Sequence, residues 1–430
     1  MNLQRIYFLH VLHRIYKGHK GSVSSVKKFA KEEKKFIIIL IIFFVFECAI
    51  GSIQLDMFDF NSHMSAAKNI ALGKMLYRDH HGFYYGDQWV DYPYPPIYLY
   101  VVGGIFYLFG YNPYYAKVFL SLVNTVNAFL IYLILRTVIL RREKKRENER
   151  RTAYLVSILY MLDPTTNAAV YAGNFDSFAL LFILSAIYFY IHEWKWSAVF
   201  VGVSIGLGTM VKLFPIILVM VFLAGYYSKK EDTGSKKIKN LTKNIALLIL
   251  STALTILAIS LPFLYACPNE YLEYALLYHF RRETTSISLA YYFLDYDSLF
   301  FLPMTMQICA LSILLFVKES DKQIIPMSVY ALSSFLTFSR VTYPKYWTLI
   351  SGPLWLEIGK SQEGIVNNRK NYLLLFSYAI LLLGCGIWDI PYLNGNYDFK
   401  SDILFFVGAG IYAAGALSLT FFTFRSLSNR

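Results

Sequence analysis

The chain has 430 residues, of which 56% are hydrophobic and 16% are charged, and its mean hydropathy is +0.43. These values exclude an ordinary soluble globular protein and are typical of a chain that crosses a membrane many times. The formal net charge is +13, but the basic residues cluster between apolar segments, which is the pattern of membrane topology and argues against nucleic-acid binding.

The four cysteines predict neither a metal centre nor a disulfide framework. They are scattered along the chain, with no CxxC pair and no histidine at ligand spacing. Three of them lie in apolar segments, where a free thiol packs as a small hydrophobic group. The four cysteines, for which we expect neither a metal ion nor a disulfide partner, are Cys48, Cys267, Cys309 and Cys385.

A basic arm at residues 1–35 precedes the first apolar segment. It carries nine lysine and arginine residues and no small-residue cleavage site, so we expect it to stay in the cytoplasm and no signal peptide to be removed. The first predicted span, residues 36–55, then leads to the outer face of the membrane. Residues 36–430 are predicted to form a single polytopic membrane domain.

The first outer loop, residues 56–114, is polar and aromatic, and we expect it to hold the functional site. A weakly apolar helix follows Asp59 and ends near Gly73. A second apolar run, residues 97–109, starts after two prolines but has only 13 residues, whereas a span needs about 20. If this run crossed the membrane, the strongly basic residues 141–151 would face outward, against the positive-inside rule. The loop is therefore predicted to contain two helices that lie at the membrane surface.

The remaining apolar segments predict further spans and no soluble domain. The basic loops between them then face the cytoplasm, together with both chain ends. The predicted fold class is an all-α integral membrane protein with about twelve transmembrane helices. The further spans are expected at about residues 116–140, 152–171, 175–191, 197–211, 213–228, 244–265, 298–317, 324–339, 346–359, 371–390 and 402–424.

Asp59 is the first charged residue on the outer face that needs an explanation. Aspartate is a preferred N-cap residue, so one interpretation is that Asp59 caps a helix that starts near Asn61. The other is that its carboxylate takes part in chemistry at the membrane surface, a role for which Asp56 competes.

Two further charges stand at the ends of apolar runs. Asp176, with Asn174, either caps the next helix or lines a cavity beside Asp59. Lys212 interrupts an apolar run just before Pro215. Either its side chain extends to the membrane interface or it pairs with an anionic ligand.

Positive charges also occur in two later outer segments. Arg281 and Arg282 precede several hydroxyl residues, a composition that suits a phosphate because guanidinium groups bind phosphate oxygens through two hydrogen bonds; pairing with Glu283 or Asp295 is the alternative. Residues 340–346 contain further charges that an aromatic belt at the interface does not explain. A carboxylate and these cations on one face are suited to moving a group from a lipid phosphate.

Five short motifs follow one another between residues 36 and 350. They are FDFNSHMSAAKNIALGKMLY, YPPIYLYVVGGIFYLFG, DPTTNAAVYAGNFDSFALL, VKLFP and YPKYW. In this order the chain resembles the C superfamily of membrane glycosyltransferases (GT-C), which take a sugar from a polyprenyl-phosphate donor on the non-cytoplasmic face. The likeness extends to the polyprenol-phosphate-mannose mannosyltransferases, including the enzyme that adds the first mannose of glycosylphosphatidylinositol. The chain departs from that pattern at His63, where the family has tyrosine, and at Tyr343, which begins the late motif.

The resemblance implies a GT-C-like fold and an inverting transfer of a hexose, expected to be mannose, to a hydroxyl of a glycan, lipid or protein acceptor. Asp59 is then the general base on that hydroxyl. Four cations are implied to bind the donor phosphate, and four other residues to bind the sugar or the acceptor. The first set is Lys212, Arg281, Arg282 and Lys345, and the second is Asp176, Asn174, His63 and Tyr343.

The resemblance also implies an optional divalent cation, Mg²⁺ or Mn²⁺, because some relatives use one. The implied location is the endoplasmic reticulum membrane of a eukaryote or the plasma membrane of a prokaryote, with the site on the non-cytoplasmic face. Two alternatives are open. A transporter or flippase of lipid-linked sugars places polar groups near the membrane midplane and often shows paired halves, and a non-enzymatic assembly subunit is the other.

Overall fold

The computed structural model of the protein describes residues 33–53, 58–78, 82–85, 88–140, 146–228, 235–281, 287–288, 302–317, 323–360, 368–393 and 403–428. The chain divides into two compact units, Met1–Phe46 and Glu47–Arg430. The first helix, α1 (Lys34–Ile53), begins in the first unit and forms nearly all of its described part. The candidate site lies in the second unit.

The second unit is built almost entirely of helices. Within the described ranges the exception is an antiparallel hairpin of β1 (Gly82–Tyr85) and β2 (Gln88–Asp91), which adds a small strand element to the expected all-α fold. Its aromatic and β-branched residues favour strands. The helices that follow α1 are α2 (Phe58–Ala71), α3 (Ile97–Phe109), α4 (Tyr114–Leu140), α5 (Arg146–Met161), α6 (Pro164–Ala172), α7 (Asp176–His192), α8 (Ser197–Val211), α9 (Leu218–Ser228), α10 (Ser235–Ala266), α11 (Pro268–Leu272), α12 (Tyr278–Arg281), α13 (Leu302–Ser312), α14 (Ile324–Thr337), α15 (Thr348–Gly359), α16 (Arg369–Leu393) and α17 (Ile403–Ser428).

Several of these helices have the length and composition of membrane spans. Among the described residues, five helices are long and apolar enough by themselves, and six shorter helical segments of 10–17 residues are also apolar. The chain is therefore an integral membrane protein, while the number of twelve spans and the surface position of α2 and α3 stay predictions. The five long segments are Lys34–Ile53, Tyr114–Val138, Leu241–Ala266, Arg369–Asp389 and Ile403–Ser428.

The span predicted at 152–171 is not a single helix. The structure divides it into α5, which ends at Met161, and α6, which begins at Pro164. Asp163 is the N-cap of α6, and its carboxylate accepts a hydrogen bond from the backbone N–H of Thr165 at 2.9 Å. Proline at the first helical position starts a new helix and cannot continue the previous one, because it lacks an N–H.

Asp163 also joins α6 to two later helices. Its buried carboxylate accepts hydrogen bonds from the indole Nε1 of Trp355 at 2.8 Å and from the hydroxyl of Tyr378 at 3.1 Å. The hydroxyl of Thr348, at the start of α15, donates to the backbone oxygen of Thr165 at 3.0 Å. The start of α6 is thus fixed against α15 and α16.

The last two helices support the segment just before α15. α16 and α17 approach so closely that a Cβ on Gly384 would lie 2.2 Å from the backbone nitrogen of Tyr412. The hydroxyl of Tyr412 accepts a hydrogen bond from Trp347 at 3.2 Å and lies 3.3 Å from the hydroxyl oxygen of Thr342. The C-terminal helices therefore hold in place the residues on both sides of Lys345.

Gly173 ends α6 in a conformation that suits glycine. Its φ of 68° lies in the left-handed region, and its N–H closes the helix on the backbone oxygens of Ala169 and Val170. A Cβ at this position would lie 2.2 Å from Cδ2 of Phe60, on the helix that carries Asp59. The backbone turn and the packing of α2 both depend on this residue.

Substitution Gly173→Ala should lower the free energy of unfolding by about 2–5 kcal/mol, because it combines left-handed strain with overpacking against Phe60. Gly104→Ala is the matched control, since a Cβ on Gly104 in α3 meets nothing within 4 Å. Unfolding midpoints in detergent compare the two variants. Equal midpoints would show that the turn at Gly173 is not constrained in this way.

Candidate functional site

The first feature of the site is an ion pair between Asp59 and Lys345, which are 286 residues apart in the chain. α2 begins at Phe58, so Asp59 lies in its first turn and does not cap a helix starting at Asn61. Lys345 lies in the 3₁₀ turn Pro344–Trp347. Burial opposes the charge on Lys345, but Asp59 outweighs burial and raises the pKa of Lys345 above its ordinary value. The lysine is therefore protonated.

A second ion pair joins Asp176 to Lys212. Asp176 is the first residue of α7, where the helix dipole favours a negative charge. Lys212 follows the end of α8 in an extended conformation. Its ammonium nitrogen lies 3.7 Å from the ring centre of Tyr346 and 5.8 Å from that of Phe175, so it is held by a carboxylate and by aromatic faces.

The two ion pairs belong to one site. Tyr346, whose ring lies against Lys212, is the neighbour of Lys345. The charge of Asp176 also acts on Lys345 across the site. Four residues that are distant in the sequence are thus brought together, and each carboxylate has a lysine as its direct partner.

His63 lies one turn after Asp59 in α2 and is buried among aromatic rings. Burial lowers the pKa of His63 to about 4, although the negative charge of Asp59 opposes that shift, so the imidazole is neutral near pH 7. Its Nδ1 and the hydroxyls of Tyr92 and Tyr98 are buried without a hydrogen-bond partner among the described residues. The ring-centre distances from His63 are 5.1 Å to Phe175, 5.5 Å to Tyr92, 6.0 Å to Tyr94 and 6.1 Å to Tyr98.

The remaining predicted residues lie around the two ion pairs or beyond the described ranges. Asn174 is buried in the turn between α6 and α7, and the ring centre of Tyr343 lies 5.4 Å from the ammonium nitrogen of Lys345. Arg281 is the last residue of α12, but its side chain is outside the described part, as are Arg282 and Asp56 entirely. Their roles stay predictions.

Sequence reasoning missed three contributors to this site. Tyr94 and Phe175 stand inside recognised motifs, yet an aromatic residue in a membrane protein is too common to be singled out. Asp389 lies near the C-terminal end of α16, and the positive charge of Lys345 acts on its carboxylate. It stands in the C-terminal region, which carries none of the five motifs, and its position before a polar stretch of the sequence was the available signal.

The described residues also bear on the optional divalent cation. Among them, no group of three or more His, Cys, Asp and Glu side chains is placed to hold a metal ion. Asp59 and Asp176 each hold a lysine, so a divalent cation at this site would have to displace one of these ammonium groups. The cation stays a prediction.

The pKa of His63 predicts how stability depends on pH. Folding favours the neutral imidazole, because its folded pKa of about 4 is below the ordinary 6.5. Its stabilisation is therefore complete above pH 6.5 and is lost as the pH falls towards 4. Wild-type protein should lose about 3 kcal/mol more than His63→Phe over that interval. Chemical unfolding at a series of pH values measures the difference, and parallel curves would contradict the neutral, buried imidazole.

Comparison with solved structures identifies the fold. The chain is similar to ArnT from Cupriavidus metallidurans bound to undecaprenyl phosphate, with a TM-score of 0.54 and 13% identity over 93% of this chain and 78% of that one. The apo state of ArnT has a TM-score of 0.49. The archaeal oligosaccharyltransferase AglB from Archaeoglobus fulgidus, in complex with an inhibitory peptide and a dolichol-phosphate, has a TM-score of 0.41 and 12% identity over 92% of this chain and 56% of that one. The likeness to ArnT bound to undecaprenyl phosphate shows the fold, which is the GT-C-like fold that the motifs predict.

A family model identifies the chain more specifically. The model of the GPI transamidase subunit PIG-U matches residues 35–296. This range is more than half of the chain and contains Asp59, Asp176 and Lys212. The chain belongs to the PIG-U family.

Proposed function

We propose that this chain is the membrane-embedded subunit of a GPI transamidase that binds the glycolipid substrate at the site formed by Asp59, Lys345, Asp176 and Lys212. The observation that carries the proposal is the family match, which covers the first outer loop and three of the four charged residues, Asp59, Asp176 and Lys212. A transamidase joins a finished glycolipid to protein, and we infer that this subunit binds the glycolipid without adding sugars to it.

The geometry of Asp59 supports binding over sugar transfer. A general base has to accept a proton, and a neighbouring positive charge lowers the basicity of a carboxylate. Asp59 is joined to Lys345, which is held in its charged form. Ion-paired aspartate and lysine side chains remain able to hydrogen-bond sugar hydroxyls and phosphate oxygens.

Sugar transfer is the second candidate function. In it the chain moves a hexose, with mannose expected, from a polyprenyl-phosphate donor to an acceptor hydroxyl on the non-cytoplasmic face. The observation that favours it is the partly open position of Asp59 beside a lysine, since a donor phosphate that drew Lys345 away would leave Asp59 to act as the base. The other implied phosphate ligands are Lys212, Arg281 and Arg282, and the implied sugar or acceptor ligands are Asp176, Asn174, His63 and Tyr343.

The proposal keeps the predicted membrane arrangement. Residues 1–35 form a cytoplasmic arm, residues 36–430 form one polytopic domain of about twelve spans, and residues 56–114 form the outer loop of the site. The five long apolar helices support a multi-pass protein. The expected location for a GPI transamidase subunit is the endoplasmic reticulum membrane.

Depletion of the chain from its host cells distinguishes the two functions. Loss of a transamidase subunit should leave glycosylphosphatidylinositol lipids complete but unattached to protein, because every sugar is still added. Loss of a sugar transferase should instead accumulate a truncated lipid that lacks one sugar. Mass spectrometry of the extracted glycolipids reads out the difference, and a truncated lipid would overturn the proposed function.

Purified protein provides an independent test. The chain incubated with radiolabelled polyprenyl-phosphate mannose and a mixture of glycolipid acceptors should transfer no sugar. If transfer is found, Asp59→Asn should lower its rate by about 10²- to 10⁴-fold, the contribution of a positioned base. Lys68→Met, an exposed change on the same helix, is the control. Transfer that depends on Asp59 would establish the second candidate function in place of the first.

A further inference from the structure

Tyr77 has a backbone conformation that a bulky residue rarely adopts. Its φ is 69°, in the left-handed region, and its side chain is buried. Among the described residues, the other non-glycine residue with a positive φ is Glu193. Glycine takes this conformation without steric strain, so a tyrosine here indicates that its side chain is needed. Strained residues persist where the surrounding structure holds them, and they are concentrated at functional sites.

Aromatic rings of two helices hold the side chain of Tyr77. The ring centre of Tyr77 lies 5.3 Å from that of Phe263, near the end of α10, and 5.3 Å from that of Tyr271 in α11. Both contacts are edge to face, the arrangement that aromatic pairs prefer. The hydroxyl oxygen of Tyr271 lies 2.7 Å from that of Ser260 in α10, which joins the two helices. α10 and α11 therefore fix the position of the Tyr77 ring.

The hydroxyl of Tyr77 reaches a residue on the other side of the β1–β2 hairpin. It donates a hydrogen bond to the backbone oxygen of Tyr94 at 2.5 Å. Tyr94 stands between Pro93 and Pro95. Neither proline has an N–H, and a residue before proline is disfavoured in a helix, so regular secondary structure cannot fix Tyr94. The hydrogen bond from Tyr77 holds its backbone instead.

The ring of Tyr94 lies among the elements that carry the site. Its centre is 5.2 Å from that of Phe175, the N-cap residue of α7, and 5.9 Å from the ammonium nitrogen of Lys212. It is also 6.0 Å from the ring centre of His63 in α2. Tyr94 acts electrostatically on Lys345 as well. A displacement of Tyr94 would therefore affect both ion pairs.

We propose that Tyr77 is a positioning residue of the site. α10 and α11 hold its ring, its hydroxyl fixes the backbone of Tyr94, and the ring of Tyr94 then keeps its place beside both ion pairs. This inference rests on the proposed function, in which the site binds a glycolipid, and it adds a residue that acts on that binding through Tyr94.

Loss of the Tyr77 hydroxyl should weaken binding by a limited factor. In Tyr77→Phe the ring can still pack against Phe263 and Tyr271, but the backbone of Tyr94 loses its hydrogen bond. Tyr94 then occupies the binding position for a smaller fraction of the time, and the affinity falls in proportion to that fraction. One net hydrogen bond corresponds to a factor of about three to ten.

The position of Tyr94 can be measured without a ligand. A fluorinated tyrosine introduced at position 94 of the full chain in detergent should give one narrow fluorine resonance. Addition of Tyr77→Phe should shift or broaden that resonance, because the ring is then less well held. An unchanged resonance would overturn the proposal.

Tyr226→Phe is the matched control for this measurement. It also removes a buried tyrosine hydroxyl, which lies 3.3 Å from the hydroxyl oxygen of Ser197. Ser197 follows the C-terminal end of α7, whereas Asp176 is at the N-terminal end of that helix. This variant should leave the fluorine resonance unchanged. A shift as large as that in Tyr77→Phe would show a general response to a lost hydroxyl and would overturn the proposal.

Binding of a purified glycosylphosphatidylinositol lipid to the full chain tests the consequence for the site. Tyr77→Phe should raise the dissociation constant about three- to tenfold, and Tyr226→Phe should not change it. Tyr94→Ala removes the ring that Tyr77 positions, so adding Tyr77→Phe to it should raise the constant no further. Additive losses would show that Tyr77 acts by another route and would overturn the proposal.

The same measurement separates this inference from the proposed function. Equal binding by the wild-type chain and Tyr77→Phe would overturn the role of Tyr77 alone. Absence of binding by the wild-type chain would overturn the proposed function and, with it, any role of Tyr77 in binding.

Discussion

The hydrogen bonds of one buried carboxylate, Asp163, set the geometry on which the site depends. Asp163 starts α6 and accepts from side chains of α15 and α16. Breaking such hydrogen bonds to a buried carboxylate costs much free energy, because neither water nor another donor replaces them in an apolar interior. α6 leads into the turn before Asp176, and Lys345 stands just before α15. The same interaction therefore places both halves of the site, and the hydrogen bonds of Tyr412 to the neighbours of Lys345 complete the support.

Burial assigns different roles to two ion pairs of the same chemical composition. Asp176 and Lys212 are closed off from solvent, so separating them would leave an uncompensated charge in a low-dielectric environment. Asp59 and Lys345 border the exposed side, where water stabilises the separated charges. A closed pair beside a more open one is suited to holding a ligand in a defined orientation. A GT-C-like fold can in this way support binding as well as sugar transfer, since a fold determines where a site lies and not which reaction takes place there.

The charged residues of the site could be predicted because charge at the edge of an apolar run is costly and needs a reason. That argument selected Asp59, Asp176, Lys212 and Lys345, which the structure brings together. It did not select the tyrosine and phenylalanine rings around them, because aromatic residues at a membrane interface have an ordinary explanation. It also treated the carboxylate as separate from the cations, whereas the folded chain joins them in pairs.

The sequence by itself determined that the chain lies in a membrane and has the GT-C-like fold. It also singled out four charged residues that meet at the candidate site. Hydropathy, charge asymmetry and ordered motifs are local properties, so they can be recognised without knowing which helices touch. Tertiary structure alone decided that Lys345 is the partner of Asp59, that Asp176 is the partner of Lys212, and that the helix after residue 152 breaks at Asp163. These outcomes depend on packing between segments far apart in the chain. The sequence around Asp59 does not indicate that its partner lies 286 residues away.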